Sequence, residues 1–256
     1  MEGCDQDPLA AKKIDGINAF FSSPAAVLER CDLLVIATPV GACRSVLEAM
    51  RPAWSPDKVV TDVGSVKQAV IDAARAVFGE SPSNWVPAHP IAGNEKSGPE
   101  AADPEIFSQR RVLLTPLENT SAEAVAQVSL LWRSVGAKTE CIDAAEHDSL
   151  LAQSSHLPHV VAYALVNSLL SEADGLHHLR YLAGGLRDFT RIAASDPVMW
   201  RDICLNNSDK LLKALDCFQD SVNQLHTAIE QRDAKKLEAL FASARKHRRS
   251  LSSRSS

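Results

Sequence analysis

Residues 32–40 read DLLVIATPV and residues 58–67 read KVVTDVGSVK. The first is a short, nearly unbroken apolar run, the pattern of a strand covered on both faces. Helical spacing follows it in ACRSVLEAMRP, residues 42–52. The second strand leads into SVKQAVIDAARAVF, with Ser65 as candidate N-cap. Three more short strands are expected in NWVPAHPI, RRVLLTPL and AKTECID, and a helix closed by Gly136 in SAEAVAQVSLLWRSVG. Strands separated by helices predict βα units and a doubly wound, mostly parallel α/β sheet of the Rossmann type.

The pattern changes after Asp143, where only helical periodicity remains. EHDSLLAQSSHLPHVVAYALVNSLL is apolar on most sides and predicts a buried helix interrupted near Pro158. Further on, Leu211, Leu215, Phe218, Val222, Leu225 and Ile229 form a heptad-like seam. Such a seam packs either on its own core or on a partner subunit. The expected division is a dinucleotide-binding domain over 1–143 and an all-α domain over 144–256.

Composition narrows the function classes. The 256 residues carry 45% hydrophobic and 23% charged residues, and the net charge is −5, so no overall basic footprint suggests nucleic acid. The basic tail ARKHRRSLSSRSS reads as a solvated end. Cys4, Cys31, Cys43, Cys141, Cys204 and Cys217 form no CxxC pair, which predicts buried free thiols in a reducing compartment, the cytoplasm. No apolar run reaches the roughly 18 residues of a membrane span.

In doubly wound sheets, ligands sit beyond the carboxyl ends of the strands, and those ends are chemically loaded here. Asp5 closes a short strand at the start of the chain; an acid there accepts hydrogen bonds from an adenosine ribose and repels a 2′-phosphate, or is simply a turn aspartate in DQDP. Thr38 and Pro39 follow the first strong strand, and Gly64 and Ser65 the second. His89 stands between Pro87 and Pro90 before GNEKSG, a stiff loop offering a side chain suited to proton transfer near neutral pH. His156 and His159 are three apart, but no third ligand accompanies them and no metal is expected. Residues 184–202, GGLRDFTRIAASDPVMWRD, bring Gly184, Asp188, Arg191 and Trp200 together, with Arg191 the natural fork for a carboxylate.

These motifs, in this order, resemble the prephenate/arogenate dehydrogenase family of tyrosine biosynthesis. The matching stretches are TDVGSVK, PAHPIAGNEKSGPEAAD, FSQRRVLLTPL, EHDSLLAQSSHLPHVVAYAL and GGLRDFTRIAASDPVMWRDI. The resemblance implies NAD(P)-dependent oxidative decarboxylation of prephenate or arogenate, with NAD preferred to NADP. It implies that His89 accepts the ring hydroxyl proton, that Ser65 binds the same hydroxyl beside the nicotinamide, and that Arg191 binds a carboxylate. His156, His159, Gly184, Asp188 and Trp200 would shape the pocket. Asn94 and Glu95 would reach the substrate side chain, Asn94 standing where relatives often carry Thr or Ser. Asp5, Thr38 and Pro39 would line the cofactor, and the helical domain would dimerise.

One departure stands at the front. Family members open on a strand and a GxGxxG turn, and neither is in this sequence. The expectation is a dehydrogenase recorded from a downstream start. The alternative is a non-catalytic relative that binds substrate or tyrosine, or only dimerises. A β-hydroxyacid-type dehydrogenase would share the architecture but would want a catalytic lysine, which EHDSLLAQSSHLPH does not offer.

Overall fold

Val59–Asp62 is buried at every position and pairs in parallel on both edges, with Leu33–Ile36 and with Trp85–Val86. Its neighbouring side chains serve opposite faces, as the two-residue period of a strand requires. Val60 joins a core with Leu28, Leu47, Met50 and Val70. Val59 joins another with Val86, Val112, Leu114, Val128 and Trp132. A strand placed between two apolar layers must itself be apolar, and KVVTDV is.

The computed structural model describes residues 1–5, 16–93, 98, 101–171 and 184–252. Asn94 and Glu95 therefore lie outside the described residues. In chain order, Glu2–Gly3 (β1) pairs in parallel with Ala19–Phe20 (β2). Helix Pro24–Leu28 (α1) leads to Leu33–Ile36 (β3), then Cys43–Met50 (α2), Val59–Asp62 (β4) and Lys67–Phe78 (α3). Trp85–Val86 (β5) ends at Pro87, and Ala88–Pro90 (β6) turns away to pair antiparallel with Arg111–Leu114 (β7). Helix Ala122–Ser134 (α4) returns the chain to Lys138–Cys141 (β8), parallel to β7. The result is the expected mostly parallel Rossmann-like sheet followed by helices: Ala144–Leu151 (α5), Leu157–Leu170 (α6), Gly184–Thr190 (α7), Pro197–Asn206 (α8), Ser208–Glu230 (α9) and Ala234–Ser252 (α10).

Several local expectations are corrected. NWVPAHPI is two strands, because Pro87 has no N–H for a ladder. The run at β3 is only partly covered, with Val35 38% exposed; β3 pairs with β4 alone among the described strands, whereas β4 is paired on both edges. Ser65 does not cap α3, which starts at Lys67 after Val66. The interruption expected near Pro158 is a π-helical turn, Ala152–His156, between α5 and α6, but the segment is less buried than expected: in α6 only Ala162 is buried. A wider turn relieves the clash that Pro158 would make with the preceding turn of a regular helix. Only Cys43 is a buried thiol; Cys4, Cys141 and Cys217 are exposed, Cys141 because β8 offers most of its residues to solvent.

The chain forms two compact units, Met1–Leu211 and Leu212–Ser256. In the second unit, Leu212, Phe218, Val222 and Ile229 of α9 are exposed apolar side chains. Among the described residues, no helix is long and apolar enough to cross a membrane.

Within the first unit, the turn after β3 meets α8 closely. A Cβ on Gly41 would stand 2.6 Å from Asp202 Oδ2, an atom of a carboxylate that also holds Arg201 at 2.6–2.8 Å. Gly41→Ala should therefore cost about 1–3 kcal/mol, the usual size of overpacking, read as a fall in urea midpoint. Gly185→Ala, where nothing lies within 4 Å, should leave the midpoint unchanged or raise it.

Candidate active site

The site is built around Asp148. Asp143 caps α5 by accepting from Ala145 N and Glu146 N, and one turn on, His147 and Asp148 are both buried. Asp148 Oδ1 accepts the Lys67 N–H at 2.8 Å and Oδ2 the Gln68 N–H at 2.9 Å. These amides open α3, whose own cap residue, Val66, has no side chain to satisfy them. A carboxylate some 80 residues away in sequence thus caps this helix, where the helix dipole favours a negative charge.

The same carboxylate orders a row of imidazoles. His147 Nδ1 donates to Asp148 Oδ1 at 2.8 Å, and His147 Nε2 lies 2.9 Å from His89 Nδ1. A carboxylate can only accept, so His147 carries a proton on Nδ1, and in the neutral ring its Nε2 is an acceptor. His89 must then donate from Nδ1, which leaves the lone pair on its Nε2. The two rings meet edge to face, 5.1 Å apart. Burial, then the nearby charge of Lys67, then His147 and His156, hold His89 well below the usual imidazole range. Burial pushes the Asp148 carboxyl up, but the hydrogen bonds from His147 and the two amides outweigh it and leave it below its ordinary value.

The π-helical turn supplies the next ring. His156 is buried, and Asn207 Nδ2 bridges it and the Asp148 carbonyl at 3.1 and 2.9 Å. Burial is the main reason His156 falls to about 4, with His147 and His159 adding to it and Asp148 opposing. His159 donates from Nδ1 to Ser155 O at 2.9 Å and stacks on Trp200 at 3.7 Å. Burial lowers its pKa, the Ser155 bond opposes, and the Arg191 charge lowers it further. The Trp200 Nε1 is buried without a hydrogen-bond partner among the described residues.

The structure thus brings together His89, His156, His159 and Trp200, with Arg191 close enough to act on His159. Ser65 is half-buried just after β4, and β4 runs beside β6, which carries His89. Thr38 and Pro39 are exposed after β3, and Asp5 is exposed after β1. Gly184 and Asp188 are exposed on α7, which packs on α6. The strand ends fit a dinucleotide. Gly64 is buried and leaves no room for a side chain, since a Cβ would meet Asp62 Oδ2 at 3.0 Å and Val70 at 3.3 Å; the residues exposed at these strand ends are Asp5, Thr38 and Pro39.

Sequence reasoning missed His147, Asp148 and Asn207. A signal was present: Ala144, His147 and Leu151 share the buried stripe of α5, and a polar residue on such a stripe requires a partner. Lys67 was missed likewise, at the head of the α3 stripe Lys67, Val70, Ile71, Ala74 and Val77.

A pH dependence of stability follows from His156. Above about pH 6.5 neither folded nor unfolded chain protonates this ring. As the pH falls from there toward about 4, the unfolded chain takes up a proton that the folded chain refuses, so stability declines. Melting temperature followed over that window should fall less steeply in His156→Gln than in the unaltered chain. Equal slopes would show that burial does not hold this ring neutral.

Comparison with known proteins agrees with this arrangement. The sequence model described as "Prephenate dehydrogenase, nucleotide-binding domain" matches residues 1–141, and "Prephenate dehydrogenase, dimerization domain" matches residues 143–243. The cyclohexadienyl dehydrogenase of Zymomonas mobilis is 38% identical over 227 residues, covering 88% of this chain and 76% of the relative. The prephenate dehydrogenase of Bacillus subtilis is 36% identical over 247 residues, covering 95% of this chain and 66% of the relative. Among solved structures, the prephenate dehydrogenase from A. aeolicus in complex with hydroxyphenyl propionate and NAD+ superposes with a TM-score of 0.88 at 33% identity, covering 98% of this chain and 88% of that one. The Synechocystis arogenate dehydrogenase superposes at 0.77 and 26% identity, covering 96% and 89%. With both halves matched in order and the buried imidazole row lying where their segments meet, the chain belongs to the prephenate dehydrogenase family.

Proposed function

We propose that this chain catalyses the oxidative decarboxylation of prephenate or arogenate to 4-hydroxyphenylpyruvate or tyrosine, with His89 as proton acceptor. The observation that carries this reading is the Asp148–His147–His89 row. It fixes the His89 tautomer with a lone pair on Nε2, and burial keeps the ring neutral where a base must be unprotonated. NAD is the cofactor and supplies, when bound, the hydride acceptor.

The chain's residues have the remaining tasks. Asp5 would hold the ribose hydroxyls, and Thr38, Pro39 and the Gly64–Ser65 turn would border the nicotinamide half. Ser65 would hydrogen-bond the substrate hydroxyl and aim it at His89. As hydride leaves the carbinol carbon, the hydroxyl proton passes to His89 Nε2. The bond to the ring carboxylate breaks, its electrons pass through the ring to the new carbonyl oxygen, which takes the proton back from His89, and CO2 departs. Arg191 would hold a substrate carboxylate, with His156, His159 and Trp200 as the pocket wall and Gly184 and Asp188 shaping it, and Asn94 and Glu95 would recognise the substrate side chain. Asn94 is the position through which the pyruvyl or alanyl side chain would be chosen.

The division of labour we infer is cofactor binding over 1–143 and substrate binding with dimerisation over 144–256. A second copy would cover the seam from Leu211 to Ile229; exposed Phe218, Val222 and Ile229 support that partner. Six free thiols fit the reducing cytoplasm.

Assay of NADH formation with prephenate or arogenate and NAD+ tests the activity, and two variants test the assignments. His89→Asn should lower kcat by roughly 10²–10⁴-fold, the scale of general-base effects, with KM little changed; a near-normal rate removes His89 from the mechanism. Arg191→Ala should raise the substrate KM by about 10–100-fold, the worth of a hydrogen-bonded charge pair, and an unchanged KM would assign the carboxylate to another cation.

A further inference from the structure

A second buried charged group touches this site, and the mechanism above does not use it. Lys67 and Asp62 are fully buried, 0% and 1% exposed, and form an ion pair. Burying two charges in a protein interior is costly unless every remaining hydrogen-bonding position is filled, so what fills them is informative. Lys67 Nζ also donates to the Ala88 carbonyl. Asp62 Oδ1 accepts the Ala88 N–H at 3.3 Å, and Asp62 Oδ2 accepts the Gly64 N–H at 2.8 Å. The pair thus grips both backbone groups of the residue before His89 and the amide of the residue before Ser65.

The backbone explains why side chains are needed here. β5 ends at Val86 and Pro87 cannot donate, so the ladder along β4 stops one residue short of Ala88. Ala88 then pairs with Leu114 of β7 on the other side. On the β4 side, Ala88 would have no partner without the carboxylate and the ammonium.

We infer that the buried Asp62–Lys67 pair is the positioning device of the proton acceptor, holding the Ala88 and Gly64 peptides so that His89 and Ser65 keep one fixed separation. The inference rests on His89 as acceptor. It adds an electrostatic consequence. The charged and titratable groups around the His89 ring are Lys67 of α3 with Asp62 of β4, His147 with Asp148 of α5, and His156 of the π-helical turn. Of these, after burial itself, the Lys67 charge contributes most to opposing protonation of the ring.

The test is the double variant Asp62→Asn/Lys67→Met, which removes the pair without leaving one charge buried alone, beside His89→Asn. Folding is checked by circular dichroism, and kcat, substrate KM and the pH profile of kcat are measured with NAD+ and prephenate. The double variant should fold, lose about 10–100-fold in kcat, as misplacement of a reacting group by an ångström does, and keep KM within about threefold. The acid limb of its pH profile should move to higher pH, because the ring protonates more readily without the ammonium. A purely structural pair would lower the melting temperature and leave that limb in place. An unmoved limb, or an unchanged kcat, in a folded double variant while His89→Asn is inactive overturns the inference. An active His89→Asn overturns instead the functional reading beneath it.

Discussion

One carboxylate must satisfy the amides of a helix that cannot cap itself. α3 begins after Val66, and of the residues carrying its first two N–H groups Lys67 is buried and Gln68 half-buried. Leaving such groups unpaired costs on the order of 1–3 kcal/mol each. Asp148 meets both, and has to stand within 3 Å of each amide to do so. That fixes the position and rotation of α5 against α3, and with them the ring of His147. Since His147 sets the tautomer of His89, the protonation state at the reacting end is decided by how a distant helix is capped.

This arrangement also explains why the site is crowded with imidazoles. Each ring is partnered by a group of fixed donor or acceptor character: a carboxylate for His147, an amide nitrogen for His156, a carbonyl for His159. In a low-dielectric interior a charged ring is expensive, and a neutral ring with defined partners is not. Burial therefore works in favour of the chemistry, since it is the neutral form that accepts a proton. The cations, Lys67 and Arg191, then stand where they discourage protonation of His89 and His159.

Much of this was legible in the sequence, and the failures have physical causes. β4 and its helix were readable because apolar runs and helical stripes report burial directly. His89 was readable because two prolines and a strand end mark a stiff, accessible place. β3 was overread, since an apolar run tells of faces and not of edges, and β3 is paired on one edge among the described strands. Ser65 was misjudged as a cap because capping was treated as local, whereas the acceptor comes from α5. His147, Asp148 and Lys67 were hidden for the same reason. Each is a polar residue on an apolar stripe whose partner is remote in sequence, and no local pattern names that partner. Five of the six cysteines are exposed or only partly buried, so residue type alone misjudged their burial.

The broken strand at Pro87 gives the last step. A continuous β5 would have held His89 in a ladder with β4, its ring direction set by the pleat of that sheet. Instead the proline ends the ladder, and the chain crosses to β7 at the histidine. A crossing strand with only backbone bonds on one side would leave the Ala88 peptide open on the other. The Asp62–Lys67 pair closes that side, and the Asp148–His147 pair sets the ring beyond it. His89 is thus held by two buried polar networks that meet at α3, one through Lys67's side chain and one through its backbone amide. A residue that serves both networks is where the backbone geometry of the site and its protonation state become one constraint.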